Sequence, residues 1–168
     1  MARIFVNYQK PISFIDKDVQ ILAEHHVVRV MKHPSIGSLL FNFPVFIKNV
    51  YWCDMTYSWF GKLHAFFAVL FSRIFNKKSV VVAGGDDVAC VPEIKYGMFS
   101  FWWKKWCPLF VFRHADLVIP VSKFNKIETQ HNAETDTRRL RMIYHGFSES
   151  KFKKKKNIET EREKKGQR

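Results

Sequence analysis

The sequence predicts an α/β fold with a doubly wound parallel sheet of about six strands. Short apolar runs rich in Val and Ile alternate with helical stretches along the chain, the pattern of βαβ units. One of these runs, Val80-Val81-Val82-Ala83, has no polar break, as in a strand buried on both faces of a parallel sheet. It leads directly into Gly84-Gly85 and Asp86-Asp87, and ligands of open α/β sheets sit outside the carboxyl ends of such strands. Hydrophobic residues make up 47% of the 168, enough to bury one core of ordinary size.

Each element follows from its own signal. Residues 3–7 read as a first short strand. Ser13-Phe14-Ile15-Asp16 has the form of a capping box with Asp in place of Glu. It starts a helix running to about residue 24, with Phe14, Val19, Ile21 and Leu22 turned inward. Residues 26–31 form a second strand, and 32–38, with Pro34 and Gly37, a loop. Residues 39–51 fit neither pattern cleanly, because Pro44 limits any helix there. Residues 55–60 read as a third strand closed by Gly61. Residues 62–75 form a helix that is hydrophobic all round and hence well buried. Residues 80–83 are the fourth strand, followed by a long loop to Gly97. Residues 98–115 read as helical, with a bend at Pro108. Residues 117–121 are a fifth strand, in which Pro120 fits only an end or an edge. Ser122 then caps a helix over 123–131. Residues 140–144 are the sixth strand, ended by His145-Gly146. The crossovers are expected to be right-handed.

Residues 1–150 form one domain. Residues 151–168 carry nine Lys or Arg against three Glu with almost no apolar residue, and read as a disordered arm rather than a charged helix end. The net charge of +13 favours an anionic partner: a membrane surface, a phosphate-bearing substrate or nucleic acid. Nucleic acid ranks last, because the cationic run lies in the tail with no RNA-binding aromatic motif beside it. Cys53, Cys90 and Cys107 make neither a disulfide framework nor a metal pair, which fits a reducing cytoplasm. The start has no signal-peptide pattern. The apolar stretch 63–75 is too short to span a bilayer, so no transmembrane helix is expected. Trp102, Trp103 and Trp106 with Lys104 and Lys105 have the composition of an interfacial amphipathic helix, against the alternative of a core helix whose lysines face water.

Several motifs, taken in order, resemble the N-terminal half of a GT-B glycosyltransferase of the large family-4-like retaining group. They are SFIDKDVQILAEHH after strand one, DMTYSWFGKLHAFFAVLFSRIFNKKSVVVAGGDDVACVPEIKYG, RHADLVIPVSKFNK and RMIYHGF. The resemblance spans about residues 3–152. It implies a Rossmann-like half of the GT-B fold and an enzyme that transfers a glycosyl group from a nucleotide-sugar donor to a hydroxyl acceptor. In that architecture the N-terminal domain mainly binds the acceptor. The donor site lies mostly in a C-terminal domain, so a donor-binding domain or subunit is the implied partner and the chain alone is expected to be inactive. The implied acceptor is a sugar or lipid-linked one, and a lipid-linked acceptor would bring the protein to the cytoplasmic face of a membrane. The resemblance implies no cofactor besides the donor substrate, and no metal. In relatives a His often stands where this chain has Gly85, with Asp86 matching the Asp that follows it.

Asp86 and Asp87 are the leading catalytic candidates, since a carboxylate can accept the acceptor hydroxyl's hydrogen bond and aim it at the anomeric carbon. The competing reading is an Asx-type turn after the glycines. Gly84 and Gly85 let a backbone approach a ligand; Glu93 can line the same loop, and Trp59 can pack or stack on a sugar ring. These four are the acceptor-side set. On the phosphate or donor side stand Lys10, Ser122 and Lys123, the last two at a helix amino end that attracts phosphate, and His145-Gly146; cap and turn are their plain alternatives. His64 reads as a satisfied core histidine. Glycines after strand four rather than strand one argue against dinucleotide or S-adenosylmethionine binding. The alternative function is a non-catalytic, membrane-associated binding subunit of a split glycosyltransferase.

Overall fold

The computed structural model describes residues 1–144 and Gly146. Five parallel strands, β1 (Arg3–Tyr8), β2 (Val27–Lys32), β3 (Met55–Trp59), β4 (Lys78–Ala83) and β5 (Leu117–Pro120), form one sheet in the order β2-β1-β3-β4-β5. Six α-helices accompany them: α1 (Ser13–His25), α2 (Ile36–Phe41), α3 (Phe43–Trp52), α4 (Leu63–Ile74), α5 (Trp106–His114) and α6 (Lys123–Ala133). The predicted sixth strand is not one. Leu140 makes a single parallel bridge to Val118. Arg141 N donates to Val118 O at 3.0 Å and Ile143 N to Pro120 O at 3.1 Å, so the segment lies beside β5 without extending the sheet into a full strand.

The alternation of each strand sorts the core into two layers. Ile4, Val6 and Tyr8 of β1 and Val82 of β4 pack with Ile15 of α1. Phe5 and Val81 point the other way, toward Phe46 and Val50 of α3, Ala68 and Val69 of α4, and Val111 and Phe112 of α5. Thus α1 covers one face, and α3, α4 and α5 cover the other. Right-handed crossovers require this, because the chain steps one way from β1 to β2 and the opposite way from there to β5.

Four local expectations need correction. Ser13 begins α1 but does not cap it; Ile12 holds the cap position, with no side-chain cap bond. Ile21 faces outward, 58% exposed, and Ile15 is the buried residue of that helix. Pro44 does not prevent α3, because it sits in the first turn, where its missing N–H has no helical partner to lose. Residues 98–115 are not one helix: a short 3-10 turn, Met98–Ser100, is followed by turns, and α5 starts only at Trp106, with Pro108 in its first turn. The basic tail falls outside the described residues.

The acids at the amino edge of the sheet are structural. Asp54 accepts from Arg3 N at 2.9 Å and pairs with its guanidinium, which holds the carboxyl down at about 2. Asp116 accepts from both N and Oγ of Ser79 at 2.9 Å. Both tether a loop to the start of a strand and leave the carboxyl edge for other chemistry.

Candidate functional site

The chain leaves β1 toward α1 on one face and leaves β3 toward α4 on the other. The crevice between these exits, at the carboxyl ends of β1 and β3, is the topological switch point where open α/β sheets take ligands. A cavity of about 200 Å³ lies here, lined among others by Gln9, His33, Ser35, Lys62, His64 and Met98.

The loop after β4 forms one wall. Asp87 is fully buried, and its carboxylate is occupied by backbone: Oδ2 accepts from Gly61 N at 2.8 Å, and Oδ1 from Gly84 N at 3.1 Å and Gly85 N at 2.9 Å. It ties the loop after β4 to the loop after β3. Burial pushes its carboxyl up to about 6, while the N–H donors pull the other way. Gly84 is required by contact, since a Cβ there would stand 2.2 Å from the Phe60 ring; Gly85 has φ +144°. Asp86 differs from its neighbour. Its side chain is 43% exposed and pairs with Lys62 Nζ at 2.9 Å, at the mouth of the cavity that Lys62 lines. A solvated pair of this kind is exchangeable: the carboxylate can accept from a hydroxyl and the ammonium can meet an anion.

Near the carboxyl ends of β1, β2 and β3 lie buried polar residues that sequence reasoning did not single out. Asn7 and Ser58 are register partners on β1 and β3, fully buried on the side facing α4. Both ends of the Asn7 amide, the Ser58 hydroxyl and both ring nitrogens of His33 are buried with no hydrogen-bond partner. His33 and His64 stack with ring centroids 6.2 Å apart. His64 Nε2 donates to Trp59 O at 2.8 Å, as predicted for a satisfied core histidine. Burial pushes the imidazoles down, to about 4 for His33 and about 3 for His64, so both are neutral at pH 7. The available signal was Asn7 interrupting the apolar run of β1; His33 had none, because its place follows from sheet order.

Among the other expected site residues, Lys10 is exposed in the loop after β1, at the same edge. Ser122 caps α6, accepting from Asn125 N at 3.1 Å, with Lys123 exposed beside it. Glu93 is exposed in a 3-10 turn, Pro92–Ile94. Trp59 is buried on the α1 side, its ring 4.9 Å from that of Phe14, so it does not line the His33–His64 cavity. His145 lies outside the described residues. Gly146 borders a separate groove of about 440 Å³ between α1 and the sheet, whose walls include Phe14, Leu22, Trp59, Val82 and Ile119. That groove is mainly apolar and holds one carboxylate, Asp18, already accepting from Tyr57 Oη at 2.8 Å.

No protein-family model matches the sequence, and a search of curated proteins finds no match. Solved structures do match. HepE from Anabaena in complex with UDP superposes with a TM-score of 0.57 at 20% identity, over 88% of this chain and 45% of that one. The same protein with UDP and glucose gives 0.50 at 19% identity, over 88% and 45%. A candidate UDP-N-acetylglucosamine 2-epimerase from Listeria monocytogenes gives 0.55 at 12% identity, over 83% and 43%. This chain therefore spans less than half the length of the structures it resembles. The likeness supports a GT-B-like fold.

Proposed function

We propose that the chain is the acceptor-binding half of a nucleotide-sugar-dependent glycosyltransferase of the family-4-like, retaining kind, transferring a glycosyl group to a hydroxyl acceptor. The observation that carries this reading is the Lys62–Asp86 pair at the mouth of a cavity on the sheet's switch point, whose lining includes Gln9, His33, Ser35 and His64. Asp86 accepts the hydrogen bond of the attacking hydroxyl and orients its oxygen toward the anomeric carbon. The new bond forms on the face from which the diphosphate departs, as retention requires, and the hydroxyl proton passes to the departing diphosphate oxygen. Asp87 is a positioning residue, holding the Gly84–Gly85 backbone against the β3 loop. The unpartnered imidazole of His33, which lines the cavity, suits a ligand rich in hydroxyls, since buried polar atoms without partners are costly.

A second, donor-binding unit supplies most of the contacts to the leaving diphosphate. From this half, Lys10 offers charge, and Ser122 and Lys123 at the start of α6 offer a favourable helix end. Fold likeness to a protein solved with UDP and glucose supports the choice of donor class. The three cysteines are free, in keeping with work in the cytoplasm.

The test pairs binding with turnover. Saturation-transfer NMR of the full chain against a saccharide panel is expected to show weak acceptor binding, reduced at least about threefold by Lys62→Gln and by Asp86→Asn. UDP release from UDP-glucose or UDP-N-acetylglucosamine by the chain alone is expected to stay at background. Robust turnover by the chain alone would overturn the acceptor-half assignment, and failure of every saccharide to bind would overturn the sugar chemistry altogether.

A further inference from the structure

We infer that α2 and the amino ends of α3, α4 and α5 form a docking face for an anionic lipid surface. These helix ends meet at the carboxyl edge of the sheet. Ring contacts run across them without a break: Phe43 to Phe67 at 4.9 Å, Phe67 to Phe66 at 5.3 Å, and Phe66 to Trp106 at 5.3 Å. On this base stand two exposed apolar groups. α2 contributes Leu40 and Phe41, the latter 88% exposed; the turn before α5 contributes Trp102, 78% exposed, and Trp103, and α5 itself begins with the exposed Trp106. Ile36 of α2 and Met98 of the second segment line one cavity, so the two groups belong to one side of the molecule.

The charge on this face has one sign. Residues 25–53, 60–77 and 94–115, which build it, contain no Asp or Glu at all. Lys104 and Lys105 are exposed between the tryptophans, with Lys104 Nζ 4.1 Å from the centroid of the Phe101 ring. The acids that adjoin these stretches in the chain are Glu24, Asp54, Glu93 and Asp116, of which Asp54 and Asp116 lie at the opposite, amino edge of the sheet; Asp86 is engaged by Lys62. Cores of protein–protein interfaces are depleted of Lys. Membrane-bound surfaces instead mix Trp, seated at the headgroup level, with Lys and Arg that attract anionic lipid. The mixture here is of the second kind. Among the described residues no helix is long and apolar enough to cross a membrane, so the contact is peripheral. The structure changes the form of the expected surface: it is a turn and two helix ends, not one amphipathic helix. The lipid reading does not depend on sugar transfer, and it is tested with no sugar nucleotide present.

The full chain is mixed with phosphatidylcholine vesicles, with or without roughly 30 mol% phosphatidylglycerol, and binding is read by co-sedimentation and by tryptophan emission. Binding to the anionic vesicles, a blue shift on binding, and weakening by salt are expected. The triple variant F41S/W102S/W103S and the pair K104E/K105E should each bind about tenfold more weakly or worse. Circular dichroism checks that each variant is folded, and K48Q, on the same layer but away from the tryptophans, serves as a near-neutral control. Equal binding to neutral and anionic vesicles would overturn the inference. So would undiminished binding of both variants, which assigns the lipid contact to the basic tail. Absence of vesicle binding together with self-association that the variants abolish would give the face to a second copy. Absence of both would give it to another protein domain.

Discussion

Asp87 is a carboxylate held away from water by three backbone N–H groups, and its chemistry can be tested directly. In Asp87→Asn one oxygen becomes an NH2 that cannot accept, so at least one buried N–H loses its partner. The expected loss is about 1–3 kcal/mol of stability, read from urea unfolding at pH 7. The pH dependence has a definite sign. The native carboxyl titrates near 6 and the unfolded one near 3.8, so between those values the native state holds a proton that the unfolded chain has released. The Asp87 contribution to stability therefore falls as pH rises from about 4 to about 6. His33 and His64 act in the opposite sense. Their ordinary value is 6.5, and burial lowers them to about 4 and about 3, so the unfolded chain gains protons first and stability falls as pH drops below 6.5. Two histidines outweigh one aspartate, and the urea midpoint should decline from pH 6.5 to pH 4.5. The decline should be steeper in Asp87→Asn, where the opposing group is gone; an unchanged slope would show that Asp87 does not titrate in this range. The sequence marked Asp86 and Asp87 as a pair of equals. What separates them is which way successive residues of one turn point, and no composition or spacing encodes that.

At the scale of elements, proline position decides more than proline presence. Pro44 and Pro108 each lie in a first helical turn, where the lost donor has no partner to miss. Pro44→Ala is therefore expected to change stability by no more than about 0.5 kcal/mol. Ser122→Ala removes a real cap, the Asn125 N to Ser122 Oγ bond of 3.1 Å, and is expected to cost about 1 kcal/mol. Thermal unfolding of the two variants against the parent gives the comparison. Short apolar runs and helical periodicity made β1, β2, β3, β4, β5, α1, α4 and α6 legible. The run Val80–Ala83 was the clearest, because a central strand has no wet face to interrupt it. α2 was missed because six residues beginning Ile-Gly carry too little periodicity. Residues 98–105 look helical because their side chains are large and apolar, yet the tryptophans among them face outward; hydrophobicity without a buried partner mimics a helix face.

At the scale of the whole molecule, the fold class was legible because strands and helices alternate. The strand count was not: residues 140–144 have the composition of a strand, but they make only a single bridge to β5, and the segment stays at the edge. The switch-point cavity was also illegible. His33, Lys62 and His64 come together only once β2, β1 and β3 are placed side by side, and that order is a property of the assembled sheet. The same order governs how the chain acquires its shape. No two neighbouring strands are joined by a hairpin, since each link contains a helix. Every ladder must wait for a long loop to close, so refolding in stopped flow is expected in milliseconds to seconds rather than microseconds. On the ribosome the delay is longer. β1 is made first yet lies between β2 and β3, and at about 5–20 residues per second the synthesis of its second partner takes several seconds. During that interval the nascent chain carries an apolar ribbon, Ile4 to Tyr8, with one side of its backbone still to be claimed, and it is there that a chaperone would first take hold.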